Sequence, residues 1–253
     1  MFDPTDQYTP VGKIRGELQD SYALLLSDAG GELVHTPRLK AETNQLTRVG
    51  RFTLAADGTL TGNIIEDRSG DHALNERMYF AHSTEKQRHE AVERRLNTSL
   101  QGFTLSTLSV EHEADLQKEL HLSLQLTAPQ YAQTRGPLLL LRPRVLGEKS
   151  FPIDTKPRHY DLVFVSASSE TDTFEIELPT GYSIDDLPDG ASADYGFASY
   201  QSKYEVEGNR LKYSRRYIVK DLSVPLDKFE KLRKFESLIA TDEQTRVILK
   251  RAE

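Results

Sequence analysis

The sequence contains no cysteine. That absence removes disulfides, thiolate metal sites and a cysteine nucleophile together, while leaving the cellular compartment open. Long apolar runs are missing too. Stretches such as Leu138 to Leu141 fall far short of the roughly 20 residues that cross a bilayer, so no membrane span is expected. Nothing at the start of the chain reads as a charged n-region followed by an apolar h-region, so no signal peptide is expected in it. Positive charge is scarce: 32 Lys and Arg stand against 39 Asp and Glu, a net charge of −7 spread along the chain. A nucleic-acid or anionic-membrane binder would need a basic face, so no nucleic-acid partner is expected.

Familiar catalytic signatures are also missing. There is no Gly-x-Ser-x-Gly elbow and no phosphate-cradling Gly-x-x-x-x-Gly-Lys. The seven histidines include no pair at i, i+4 with an intervening Glu, the spacing that marks a zincin. Glu111-His112-Glu113-Ala114-Asp115 is the densest group of possible metal ligands. It falls between two predicted strands and reads as a solvated hairpin loop, with a metal-assisted hydrolase as the remote alternative. Asp185-Asp186 and Glu175 with Glu177 could suggest a glycosidase pair, but they read better as solvent faces of strands. No metal and no cofactor are expected.

What is present is mostly β pattern. Tyr22 to Leu26, then Asp28-Ala29-Gly30-Gly31, then Glu32 to His35 reads as a hairpin with its turn. Arg51 to Ala55 and Thr59 to Ile65 alternate around Ala56-Asp57-Gly58 and read as a second. Leu120, Leu122, Leu124 and Leu126 alternate with polar residues, a half-buried strand by its period of two, and Phe103 to Val110 is its expected partner. Between them lie helical stretches. Thr84 and Gln87 form a capping-box pair ahead of Val92, Leu96 and Leu100 at i, i+4 and i+8, and Gly70 to Ala81 is expected to be helical as well.

Leu146 to Pro157 carries Gly, two Pro and several charges, so a boundary is placed there. Beyond it, Tyr160 to Ser166 is expected as a strand, Phe174, Ile176 and Leu178 alternate, and Tyr195 to Val206 and Leu211 to Val219 flank a Glu207-Gly208-Asn209 turn. These short strands suggest a β-sandwich. A closing helix from about Pro225 presents Phe229, Leu232, Phe235 and Ile239 as one apolar stripe. Tyr200, Tyr204, Arg215 and Tyr217 are the candidate binding residues, because Tyr rings beside Arg can stack on a sugar or peptide. The competing reading is that these rings pack the sandwich core and its cross-strand ladders.

Several segments resemble a known family. Pro157 through Phe164, Ile176-Glu177-Leu178-Pro179-Thr180-Gly181-Tyr182, Ser199 through Tyr204, and Phe229 through Phe235 with Val247 through Lys250 are similar to the C-terminal domain of unknown function in bacterial transglutaminase-like proteins. Members of that family combine an N-terminal β-domain, a papain-like core using Cys, His and Asp, and this C-terminal portion. Phe2-Asp3-Pro4-Thr5 resembles the end of the core, which implies that Asp3 occupies the position of the triad acid. The chain has no counterpart of the Cys and His. Acyl transfer needs the thiolate and the imidazole, and the acid only orients the imidazole, so the resemblance implies a chain with no catalysis of its own.

The expected fold is mainly β with α+β: an antiparallel sheet with one or two helices, followed by a β-sandwich with a C-terminal helix. The expected organisation is a core remnant and connecting hairpin over 1–43, an α+β accessory domain over 44–147, and a β-sandwich domain over 148–253. The expected function is a non-catalytic accessory region that positions substrate or partner protein beside an upstream transglutaminase-like core. The alternative is a self-standing module for glycan or peptide. A periplasmic or cell-surface setting follows from the resemblance alone.

Overall fold

The computed structural model describes residues 6–28, 30–149 and 159–252. The expected triad-acid position, Asp3, lies outside the described residues. In chain order the elements are β1 (Tyr22–Ser27), β2 (Gly30–His35), β3 (Gln45–Leu54), β4 (Leu60–Arg68), α1 (Gly70–Ala81), α2 (Glu85–Leu96), β5 (Thr104–Glu111), β6 (Leu120–Ala128), β7 (Gln133–Arg135) and β8 (Leu138–Leu141). They continue as β9 (Leu162–Val163), β10 (Ser168–Glu177), β11 (Tyr182–Asp186), β12 (Ser192–Asp194), β13 (Ala198–Glu207), β14 (Arg210–Val219), β15 (Ser223–Val224), α3 (Phe229–Asp242) and β16 (Val247–Arg251).

Period-two alternation builds the main sheet, an eight-stranded layer in the order β12-β13-β14-β10-β3-β4-β6-β5. On β4, Leu60, Ile64, Glu66 and Arg68 are buried while Thr61 and Asn63 are not; on β6, Leu120, Leu122, Leu124, Leu126 and Ala128 are buried. One face of the sheet therefore meets the interior and the other is mostly polar. Against the inner face lies a four-stranded sheet, β11-β16-β8-β7. A common core joins Phe52, Phe174 and Leu124 of the large sheet to Leu139, Leu141, Val247 and Leu249 of the small one, and to Phe80, Val92 and Leu96 of α1 and α2. Phe52 lies over two glycines of the sheet, where a Cβ on Gly50 or Gly62 would come within 2.5 Å or 2.6 Å of its ring. A second core sets Leu232, Phe235 and Ile239 of α3 on Tyr200, Tyr217 and Val219.

The fold is mainly β, as the alternation predicts, with three α-helices among the described residues. Thr84 caps α2 by the full capping box, its hydroxyl accepting from Gln87 N–H while Gln87 Oε1 accepts from Thr84 N–H. The connectivity across the expected 147/148 boundary is informative. β3 runs parallel to β10, with Arg48 opposite Asp172 and Gly50 opposite Phe174, so strands from both sides of that boundary share one sheet and one core. The described part of the expected linker, Leu146 to Lys149, is anchored: Lys149 N–H donates to Glu243 Oε2 at 2.9 Å and the Gly147 carbonyl accepts from Arg215 Nη1 at 2.6 Å. The strand expected over Tyr160 to Ser166 shrinks to the two residues of β9, with Tyr160, Val163 and Val165 exposed.

Candidate functional site

The inner face of the large sheet carries charge where alternation alone would call for apolar side chains. On β3, Arg48 shares its face with Leu46, Phe52 and Leu54; on β4, Glu66 and Arg68 share theirs with Leu60 and Ile64; on β10, Glu170 and Asp172 lie with Phe174 and Ile176; on β14, Arg215 lies with Leu211, Tyr213 and Tyr217. Strand register lines these up. Glu66 is opposite Arg48, Arg48 opposite Asp172, Asp172 opposite Arg215, and Arg215 opposite Ser202 of β13. The sheet is thus crossed by a buried row of alternating sign.

The row is closely bonded. Arg48 Nε donates to Glu66 Oε1 at 3.1 Å and its Nη1 to Asp172 Oδ1 at 2.9 Å. Arg215 Nη2 lies 2.7 Å from Asp172 Oδ2. The neighbouring row extends it: Arg68 Nη2 donates to Glu66 Oε2 at 2.6 Å, and Arg95 of α2 bridges Glu66 and Glu76 of α1. At the other end, Lys149 pairs with Glu170, its ammonium 4.7 Å from the centre of the Tyr217 ring. Gly147 crosses directly above, at φ +88, where a Cβ would lie 2.7 Å from Asp172 Oδ2 and 2.8 Å from Arg48 Nη1. Only glycine fits that position.

α3 ends on the same network. Asp242 and Glu243 sit at its C-terminus, where the helix dipole disfavours negative charge, and each is compensated. Asp242 accepts from Tyr200 Oη at 2.6 Å and from Ser202 Oγ at 2.9 Å. Glu243 accepts from Arg215 Nη1 at 3.2 Å and brackets the Lys149 amide. Burial favours the neutral acid at both Glu66 and Glu170, but the surrounding cations outweigh it. Arg68, Arg95 and Arg48 hold Glu66 well below the usual carboxylate range, and Lys149, Arg48 and Arg215 bring Glu170 down to about 2. Glu243 goes the other way, raised by burial against the pull of Arg144, Lys149 and Arg215.

A pH dependence follows. Acids whose folded pKa is depressed bind fewer protons than the unfolded chain, so their contribution is complete above the ordinary carboxylate pKa and disappears as pH falls. The Glu170 contribution is expected to vanish between about pH 4.5 and about 2, a loss of about 3 kcal/mol at full protonation, with Glu66 adding to it and Glu243 opposing it. Urea midpoints measured from pH 6 down to pH 3 check this; a flat profile contradicts it.

The residues singled out from sequence are turned inward. Tyr200 is 1% exposed, Arg215 1% and Tyr217 7%, and Tyr204 is half-buried with its hydroxyl against Thr245 at 2.8 Å. Burial raises the Tyr200 and Tyr217 phenols and brings Tyr204 up to about 12. Tyr200, Arg215 and Tyr217 belong to the core and the charge network, while Tyr204 packs against the core with part of its surface exposed. His112 sits at φ 60 in the β5–β6 turn, its ring 3.2 Å from the Glu119 carbonyl. Among the described residues, no group of three or more His, Asp or Glu is placed to hold a metal ion. The pairing within the charged row is set by the register of four strands, which no local pattern in the sequence carries.

Fold and site together define a two-layer β protein with a buried ionic seam. Residues 138–249 match a family model described as a domain of unknown function with solved structure, DUF3858. The match runs from β8 into β16 and spans under half of the chain. No curated protein and no solved structure matches the chain. No helix of the described residues is long and apolar enough to cross a membrane.

Proposed function

We propose that this chain is a non-catalytic accessory region of a transglutaminase-like protein, and that it packs through the β1–β2 hairpin against a neighbouring catalytic domain, positioning substrate or partner protein at the cell surface or in the periplasm. The hairpin is the observation that carries the packing. Tyr22, Leu24 and Leu26 share one face with Leu33, and the four are 71%, 63%, 75% and 66% exposed. Leu25 on the opposite face is 54% exposed. A contiguous apolar surface of this kind on a protein marks an interface, and a two-stranded hairpin in water is marginal without a partner. Its base is fixed, with Thr36 N–H donating to the Ser21 carbonyl at 2.8 Å and Thr36 Oγ1 to the Leu18 carbonyl at 2.6 Å. The resemblance over the C-terminal region supports the choice of a transglutaminase-like neighbour.

The test pairs this chain with the catalytic domain that its gene is expected to encode ahead of it. Calorimetry should record association with the native chain and none with Leu24→Glu/Leu33→Lys. Because both side chains are exposed, that variant should change stability by no more than about 1 kcal/mol. A gene that encodes no such domain, or a variant that binds as well as the native chain, would overturn the reading.

A further inference from the structure

A buried charge of a different kind lies outside the ionic seam. Arg77 of α1 is 3% exposed, yet no carboxylate among the described residues pairs with it. The other buried arginines each have one: Arg68 with Glu66, Arg144 with Glu243, Arg215 with Asp172. Arg77 Nη2 donates to the carbonyls of His112, Asp115 and Lys118 at 3.1, 3.0 and 2.7 Å and so holds the β5–β6 turn, while Nε has no partner. Neutral carbonyls satisfy part of the hydrogen-bonding capacity, but a guanidinium carries five N–H donors, and a buried cation without a counter-charge is costly. Burial accordingly lowers its pKa, against the pull of Asp115.

Arg77 lines a cavity of about 320 Å³ enclosed by the stretch from Tyr8 to Gln19, the first turns of α1 and the β5–β6 turn. That volume is at the lower end for small-molecule sites. Its wall is apolar at Ile14, Leu39, Leu74 and Leu116. Two lysines, Lys13 and Lys118, line it, as do three acids, Glu42, Asp71 and Glu119; Asp71 is engaged, its Oδ1 accepting from the Gly16 amide at 3.2 Å. Three cations thus face three acids on the wall, and among the described residues Arg77 is the buried one of those cations, with no carboxylate paired to it.

We propose that this cavity binds a small organic carboxylate, whose anion accepts from the guanidinium hydrogens of Arg77 left without an acceptor and whose apolar body rests on Ile14, Leu39, Leu74 and Leu116. The occupant is a compact branched or aromatic acid rather than a polyanion, because the wall is half apolar and Glu42 and Glu119 would repel further negative charge.

Amide-resolved NMR titration of the native chain with 3-methylbutanoate and with phenylacetate tests this, with 3-methylbutanamide as the uncharged control. Saturable shifts are expected at Gly70 to Arg77 and at Leu116 to Glu119, with the amide at least tenfold weaker. Arg77→Gln should abolish them; since that change also releases the β5–β6 turn, Leu116→Trp, which fills the cavity from a half-buried position, should do the same while keeping the native spectrum elsewhere. Absence of saturable shifts with both acids up to about 10 mM, equal binding by the amide, or shifts confined to other parts of the molecule would overturn the proposal.

Discussion

Residues 138–253 produced without the preceding part are expected to yield no cooperatively folded monomer, although the matched family span lies wholly inside them. β10 is an interior strand, held by β14 on one side and by β3 on the other. Removing β3 exposes the β10 edge from Ser169 to Glu177, a long unpaired ladder of the sort that drives edge-to-edge aggregation. The same cut takes Arg48 from Asp172, and takes Phe52, Phe80, Val92, Leu96, Leu122 and Leu124 from the core that covers Leu139, Leu141 and Leu249. Burial of one such side chain is worth about 1.5–3 kcal/mol, and total stabilities are about 5–15 kcal/mol, so the loss exceeds what a domain can absorb. Circular dichroism with heating checks this. A sharp melting transition of the isolated segment, with a dispersed NMR spectrum, would contradict it.

Arg215→Met is expected to destabilise the whole chain by about 3–5 kcal/mol, the usual cost of stranding a buried partner, which lowers the melting temperature by about 10 °C in a chain of this size. The side chain is fully buried and faces three acids, Asp172 at 2.7 Å, Glu243 at 3.2 Å and Glu170 at 3.3 Å. Its removal leaves Asp172 with Arg48 alone and removes a donor to the Gly147 carbonyl. Adding Asp172→Leu should restore part of the loss, since it removes the acid nearest the lost guanidinium while Arg48 keeps Glu66, and an unpaired buried charge is the costly species. Melting curves of the single and double variants decide it; a double variant as unstable as the sum of the singles would show that the charges act independently.

Much of this architecture is legible in the sequence, and the exceptions have physical causes. The Thr84 to Gln87 capping box, the helix over Gly70 to Ala81 and the alternation of β6 each reflect interactions within a few residues. What no local pattern carries is which strands become neighbours. Gln45 to Gly50 looks unremarkable until β3 is laid beside β10, and Val247 to Arg251 becomes a strand because β8 and β11 flank it. The charged seam was partly readable. Arg48, Glu66, Asp172 and Arg215 each fall in phase with the apolar positions of their own strands, which is the signature of a buried charge, but their pairing required the register. The tyrosines beside Arg215 suggested an exposed stacking face because aromatic and basic residues have the same alternation in a core ladder and in a binding surface. Burial separates the two, and here it places them inside.

The parts before and after residue 147 meet across the Arg48 to Asp172 contact, so their energetic coupling is the most direct test of a single folding body. A double-mutant cycle with Arg48→Met and Asp172→Leu, read by urea denaturation at pH 7, should return a coupling of about 2 kcal/mol. Additivity of the two substitutions within about 0.5 kcal/mol would contradict it and would separate the two halves into independent units.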